Sequence, residues 1–138
     1  MGKEINSTLF IRYLPFVFLF FSLGALAKPN EATIIKSCYD GDTCTTTTGE
    51  KIRLACIDAP EIRGKRADPI SAKAARDYLN GLVAGKEVQI RRITKDRYGR
   101  TVAELFINDV NIQQILVKKK FASIYEKYQD QCPWALKK

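Results

Sequence analysis

Short alternating stretches and runs of β-branched residues predict five β-strands along the chain. They cover residues 32–39, 43–48, 51–57, 87–93 and 101–107. Turn-forming residues at Asp40-Gly41-Asp42 and at Thr48-Gly49-Glu50 join the first three, which predicts consecutive antiparallel strands. The last two are joined through Arg97-Tyr98-Gly99. The pattern therefore indicates a three-stranded meander followed, later in the chain, by a hairpin.

Two further stretches have the spacing of helices. Asp68 before Pro69 is typical of a helix start, because Asp caps the free N–H groups and Pro fits the first turn. Apolar residues then recur at helical spacing up to Gly85: Ala75, Tyr78, Leu79, Leu82 and Val83. A second helix is predicted from Ile112 to the basic residues 118–120, and residues 58–70 are expected to form a loop. Five strands with a helix inserted after the third predict a five-stranded β-barrel of the oligonucleotide-binding class, with helices.

The first 27 residues are typical of a signal peptide. A nearly continuous apolar run extends from Leu14 to Ala27, and Ala25-Leu26-Ala27 places small residues where a signal peptidase prefers them. The run is shorter than the roughly 20 residues of a spanning helix, so an uncleaved anchor is the weaker interpretation. We expect residues 1–27 to be removed and residues 28–138 to form one secreted or periplasmic domain without stable membrane association.

Composition narrows the partners and the chemistry. The net charge is +8 and the pI is about 9.4, which favours polyanions such as nucleic acids or acidic lipids, although a basic surface also serves solubility alone. The sequence contains no histidine. Mechanisms that need imidazole are therefore excluded, and hydrolysis would depend on carboxylates, arginines, water and a hard metal ion.

The four cysteines all lie in the part that remains after cleavage: Cys38, Cys44, Cys56 and Cys132. An exported chain meets oxidising conditions, so two disulfides are possible, and the sequence leaves all three pairings open. Cys38 and Cys44 flank a tight turn and could face each other, while Cys44 and Cys56 could instead be small core residues. The spacings do not fit a four-cysteine zinc site.

Three short motifs carry acidic and basic residues: Asp40-Gly41-Asp42-Thr43, then Arg53 followed by Asp58-Ala59-Pro60-Glu61, then Asp96-Arg97-Tyr98-Gly99-Arg100. Each alone fits an ordinary turn or a surface ion pair. Together and in this order, over residues 32–125, they resemble the staphylococcal nuclease family. The resemblance implies the barrel described above and an exported, calcium-dependent endonuclease of little sequence specificity.

The resemblance also implies a metal site. Asp42 and Asp58 match the family's calcium-binding carboxylates, and the backbone carbonyl of Ala59 matches a third oxygen ligand. Ca²⁺ is satisfied by such oxygen ligands. Asp40 is expected to support the turn rather than to bind the ion.

Catalytic and substrate-binding roles follow in the same way. Glu61 matches the carboxylate that orients or deprotonates the attacking water, and Arg53 and Arg100 match the two arginines that hold the phosphate. Arg97, Tyr98 and Tyr125 match positions that contact the substrate. The expected partner is DNA, RNA or both, preferably single-stranded or melted, bound by a monomer.

Two departures from the family pattern stand out. Lys120 occupies a position where a helix-ending Gly is usual, so the second helix is expected to end differently or to contain a left-handed residue. The family's C-terminal helix is expected to be short or absent. The alternative function is a non-catalytic nucleic-acid-binding domain on the same barrel, and a third is a cysteine-stapled basic protein that acts at membranes or binds a protein partner.

Overall fold

The computed structural model describes Gly2 and residues 31–136, so the predicted signal peptide lies, apart from Gly2, outside the described residues. The regular elements are β1 (Glu31–Asp40), β2 (Thr43–Thr46), β3 (Lys51–Leu54), β4 (Ile57–Asp58), α1 (Pro69–Val83), β5 (Glu87–Lys95), β6 (Thr101–Ile107), β7 (Val110–Asn111), α2 (Ile112–Lys118) and β8 (Ser123–Ile124). Two 3₁₀ helices follow, η1 (Glu126–Gln131) and η2 (Pro133–Ala135). In the described part of the chain no helix is long and apolar enough to cross a membrane.

Five strands close into a barrel, as the sequence predicts. Their order is β3-β2-β1-β5-β6, and β3 also pairs with β6 in parallel, which joins the two edges. Short β7 extends the sheet beside β6, and β4 pairs with β8 in a separate two-stranded ribbon. The closed sheet with its helices confirms the predicted α+β barrel.

The barrel core is apolar and is covered by α1. Alternate strand residues such as Ile35, Ile52 and Leu105 are fully buried. α1 adds a buried stripe of Ala72, Ala75, Leu79 and Val83, spaced three or four residues apart as one helical face requires. The Asp68 carboxylate accepts a hydrogen bond from the Ser71 N–H, which confirms the predicted cap.

The prediction of one continuous strand over residues 51–57 is wrong. β3 ends at Leu54, the chain turns at residues 55–56, and Cys56 has a left-handed backbone with φ +66°. Alternation alone does not reveal the break because Ala55, Cys56 and Ile57 are all buried. The turn directs Ile57 and Asp58 to β8 instead of along the barrel wall.

The disulfides are Cys38–Cys44 and Cys56–Cys132. The first crosses the hairpin of β1 and β2, where the two cysteines are direct cross-strand partners. The second joins the turn after β3 to the residue between η1 and η2. No free cysteine remains in the described residues.

Residues 126–135 pack against the barrel as 3₁₀ turns. The indole N–H of Trp134 and the side-chain amide of Asn111 both donate to the buried carboxylate of Glu104, which also pairs with Arg91. Upstream, α2 ends at Lys118, and Lys120 has φ +63°. The left-handed residue predicted at that position is confirmed.

Candidate active site

The first acidic turn is organised by its own side chains. Oδ1 of Asp40 accepts a hydrogen bond from the Asp42 N–H at 3.0 Å, so Asp40 supports the turn, as predicted. Asp42 is buried, and its Oδ2 accepts from the Ala59 N–H at 2.9 Å. This bond connects the β1–β2 turn to the loop that begins after β4.

Gly41 permits the close approach that this connection needs. A Cβ atom on Gly41 would lie 2.7 Å from the Cβ of Ala59 and 2.8 Å from the Cβ of Ala75. Both distances are well inside van der Waals contact, and the second atom belongs to α1. The absence of a side chain at Gly41 therefore lets the turn, the loop and the helix meet at one point.

Arg53 projects from β3 between two carboxylates. Its Nη2 lies 3.3 Å from Oδ2 of Asp42 and 3.8 Å from Oδ1 of Asp58. Its Nη1 donates to the carbonyl oxygens of Leu54 at 2.7 Å and of Ile57 at 2.9 Å. The guanidinium group is thus held from two sides, with its side chain only 16% exposed.

The burial of Asp42 works against its ionised form when no cation is bound. Burial raises the pKa of the Asp42 carboxyl from 3.8 to about 7, and the negative charge of Asp40 adds to the effect. The positive charge of Arg53 and the hydrogen bond from Ala59 act in the opposite direction. A carboxylate kept out of water in this way gains more from a bound cation than an exposed one does.

The β5–β6 hairpin supplies the second arginine. Asp96 accepts from the backbone N–H groups of Tyr98 and Arg100, and its Oδ2 accepts from Nε of Arg100 at 2.7 Å. Burial raises the pKa of Asp96, but these hydrogen bonds outweigh it and hold the pKa below its usual value. Arg100 also donates to Oγ1 of Thr43 at 3.5 Å, which brings the hairpin against the first acidic turn.

These elements line one groove with a volume of about 690 Å³. Of the predicted site residues, the groove is lined by Asp42, Arg53, Asp58, Glu61, Arg97, Tyr98, Arg100 and Tyr125. Ala59 is not part of the lining. It is buried, and its observed contact with Asp42 is made by its amide.

Several groove residues were not in the predicted set. Lys95, Lys127 and Gln131 also line it, next to Tyr128, whose aromatic ring the sequence places near Tyr125. The ring of Tyr128 meets the ring of Tyr125 edge-on at 5.1 Å, and the ammonium group of Lys127 lies 5.3 Å from the centre of the Tyr128 ring. Residues 126–131 show no hydrophobic period in the sequence; the only signal is their aromatic and basic composition.

The donor atoms around Asp42 suit a hard cation. Asp42 and Asp58 offer carboxylate oxygens, the chain has no histidine, and every cysteine of the described part is in a disulfide. Among the described residues, no three Asp, Glu, His or Cys side chains come together as a ready-made site. The remaining ligands would therefore be backbone oxygens, water and the substrate.

The chain is similar in sequence to known proteins. The family model described as "Staphylococcal nuclease homologue" matches residues 51–135. A protein of Escherichia coli named as an uncharacterized endonuclease is 34% identical over 121 residues, which cover 85% of this chain and 75% of that protein.

Two further relatives also have names that identify them as nucleases. One of Haemophilus influenzae with the same name is 34% identical over 114 residues, which cover 80% of this chain and 61% of that protein. The staphylococcal-like nuclease CAN1 of Arabidopsis thaliana is 36% identical over 78 residues, 56% of this chain and 23% of its own length. With its barrel and its match to the family model, the chain belongs to the staphylococcal nuclease family and is a hydrolase of the nuclease class.

Proposed function

We propose that this protein is an exported, calcium-dependent endonuclease that hydrolyses phosphodiester bonds of DNA, RNA or both with little sequence specificity. Family membership supports the nuclease activity. The calcium requirement, the substrate range and export are inferred from the residues of the groove and from residues 1–27.

One observation carries it. Arg53 lies between Asp42 and Asp58, with its Nη2 at 3.3 and 3.8 Å from them, and Arg100 lines the same groove. Attack on a phosphodiester builds negative charge on the equatorial oxygens, and a guanidinium group can hydrogen-bond two such oxygens at once. Two arginines beside a pair of carboxylates therefore supply both phosphate binding and a place for a cation.

Each acidic residue has a role that fits its surroundings. Asp42, Asp58 and the carbonyl of Ala59 would hold Ca²⁺, since oxygen ligands suit this ion and the family generally depends on a metal. When bound, the ion would neutralise charge on the phosphate and lower the pKa of a coordinated water. Glu61, exposed at the edge of the groove, would orient or deprotonate the attacking water.

The aromatic residues of the groove suit a single strand. Tyr98 and Tyr125 are exposed, and Arg97 lies 4.8 Å from the centre of the Tyr98 ring. Stacking on bases and contacts with phosphates do not depend on sequence, and stacking requires bases that are not paired. We therefore infer a preference for single-stranded or melted nucleic acid, bound by a monomer.

Export is proposed from the sequence of residues 1–27 and agrees with two disulfides in the structure. The test is the mass of the protein recovered from periplasm or medium after expression of the full chain. We expect the mass of a chain that begins at Lys28. Full-length protein retained in the cell would contradict both export and the cleavage site.

The deciding experiment is cleavage of denatured DNA, duplex DNA and RNA by the purified protein, with Ca²⁺, with Mg²⁺ and with a chelator. Glu61→Gln should cut far more slowly, while Glu87→Gln, at the exposed start of β5 and outside the groove lining, should cut like the wild type. Cleavage that needs Ca²⁺ and Glu61 would support the proposal. A folded protein that binds DNA and never cuts it would support the non-catalytic binding domain instead.

A further inference from the structure

The turn between β3 and β4 is covalently fixed to the C-terminal part of the chain. Cys56 lies in this turn, between Arg53 and Asp58, and is bonded to Cys132, 76 residues further on. Cys132 is fully buried and packs with Ala55 and Ala135 in a small cluster of its own, separate from the barrel core. The disulfide therefore joins residues beside the groove rather than residues of the main core.

The position of Arg53 depends on the shape of this turn. Its Nη1 donates to the carbonyl oxygens of Leu54 and Ile57, which lie on the two sides of Cys56. Cys56 itself has φ +66°, a left-handed backbone that residues with a Cβ atom adopt at a cost. A change in this turn would move the acceptors of Arg53 and the strand that carries Asp58.

The same turn holds the tyrosines of the groove. The Cys56 carbonyl accepts a hydrogen bond from the Tyr125 N–H at 2.8 Å, and Asp58 pairs with Ser123 across β4 and β8. Tyr128 lies between Tyr125 and Cys132 in the chain. The segment that carries both tyrosines is thus bound to the turn at both of its ends.

We propose that Cys56 and Cys132 are positioning residues of the active site. Their disulfide holds the turn in the backbone shape that aims Arg53 and Asp58 into the groove, and it keeps the segment of Tyr125 and Tyr128 against the same groove. This inference rests on the proposed nuclease function. The sulfur atoms of both cysteines are taken up in the disulfide bond, so both residues act through their neighbours.

The test compares three variants of the full chain with the wild type. C56A/C132A removes the disulfide without leaving a free thiol. C56G/C132A does the same but places glycine, which adopts positive φ readily, in the turn. Val88→Ala is the matched control, because it removes core volume from β5 at a buried position outside the groove lining. Denaturant unfolding of each gives the loss of stability.

Three quantities are then measured: kcat and KM on single-stranded DNA, Ca²⁺ affinity by calorimetry, and binding of a fluorescein-labelled single strand in chelator by anisotropy. For C56A/C132A we expect kcat/KM to fall ~10- to 100-fold, because a small misplacement of a catalytic group lowers the rate by about this factor. Ca²⁺ affinity and strand affinity should both fall. Val88→Ala should match the wild type in all three, even if it is equally destabilised.

The glycine variant separates the two roles of the disulfide. In C56G/C132A the turn regains its backbone shape, so kcat and Ca²⁺ affinity should recover in part. Strand affinity should stay low, because the tyrosine segment is still untethered at Cys132. A variant that is unfolded in buffer alone is refolded with trimethylamine N-oxide and compared with wild type in the same solution.

Two results would overturn the inference. One is a C56A/C132A protein whose kcat/KM, Ca²⁺ affinity and strand affinity all lie within twofold of the wild type. The other is a Val88→Ala protein that shows the same losses. The losses in C56A/C132A would then result from lower stability of the whole fold and not from the position of the turn. If the wild type cuts no substrate, the proposed function fails, while the calcium and strand titrations still decide the positioning role.

Discussion

Arg53 and Asp42 form a largely buried ion pair, with Nη2 of the arginine 3.3 Å from Oδ2 of the carboxylate and side-chain exposures of 16% and 5%. The residue proposed to hold the phosphate and a residue proposed to hold the cation are therefore in contact. Each fixes the position of the other before any ligand binds, which is the preorganisation that charge stabilisation in a transition state needs.

Replacement of Arg53 by lysine should strongly impair catalysis although it keeps the charge. Lysine is a point charge and cannot bond the carbonyls of Leu54 and Ile57 while it also reaches Asp42 and a phosphate. We expect kcat to fall by ~10²- to 10³-fold, the usual effect of losing one such donor. The measurement is cleavage of single-stranded DNA at saturating calcium, with denaturant unfolding to verify the fold.

The control is Arg92→Lys on the exposed pair with Glu31 and Glu50, which should leave turnover unchanged. Wild-type turnover in Arg53→Lys would remove the bidentate role from Arg53. An equal loss in Arg92→Lys would show that an arginine-to-lysine change lowers turnover even outside the groove, and the effect could then not be assigned to the site.

Much of this fold could be predicted from the sequence, because the barrel strands and α1 have regular periods. Alternation and runs of β-branched residues indicated all five barrel strands, and Asp68 with Pro69 marked the start of α1. The break after Leu54 could not be seen, because three buried residues in succession look like a continuing strand. The short strands β7 and β8 have two residues each, too few to show a period.

The motifs in the sequence indicated the residues of the candidate site, but they did not indicate the contacts between those residues. Nothing in the residue pattern indicates that Arg53 bonds the carbonyls on both sides of Cys56, or that Ala59 donates to Asp42. These contacts join residues from separate elements and depend on the left-handed backbone of Cys56. The pairing of Cys56 with Cys132 likewise depends on how the C-terminal turns pack, which local sequence does not fix.

The metal-free protein should lose stability as the pH rises from about 4 to about 7. Burial raises the pKa of Asp42 from 3.8 to about 7, so the folded carboxyl holds its proton more tightly than the unfolded one. Its stabilising contribution is complete below about pH 4 and is lost by about pH 7, up to about 4 kcal/mol. Asp96 contributes to stability in the opposite direction. Because its pKa is lowered in the folded protein, its stabilising contribution is present above pH 3.8 and is lost as the pH falls below that value.

Denaturant unfolding in chelator from pH 4 to pH 8 measures this slope. Asp42→Asn has no charge to bury, so the part of the slope between pH 4 and pH 7 should be much smaller in that variant. Saturating calcium should also flatten it in the wild type, because the ion binds the ionised carboxylate. Equal slopes in wild type and Asp42→Asn without metal would contradict the assignment to Asp42.

Gly41→Ala should destabilise the protein and weaken calcium binding together. The new methyl group would lie within 3 Å of Ala59 and Ala75, so the acidic turn must move away from the loop or from α1. Overpacking of this kind typically costs about 1–3 kcal/mol. Denaturant unfolding and calcium titration measure the two effects.

Gly81→Ala is the matched control, since it adds the same methyl group to α1 where nothing lies within 4 Å. It should stabilise the protein by about 0.5–1 kcal/mol through helix propensity and leave calcium binding unchanged. A Gly41→Ala protein as stable as the wild type, with the same calcium affinity, would show that the turn can accommodate a methyl group without moving.

Asp96 should act on catalysis only through Arg100. The carboxylate of Asp96 accepts from the backbone and from Nε of Arg100, and it also accepts from the Tyr98 N–H, so it holds the hairpin and its arginine in place. Asp96→Ala should lower kcat about tenfold, while Arg100→Ala should lower it ~10²- to 10³-fold. If Asp96 works by holding Arg100, the double variant should be no slower than Arg100→Ala alone, because the two changes remove one shared function. Losses that multiply in the double variant would instead mean that Asp96 contributes to the reaction independently of Arg100.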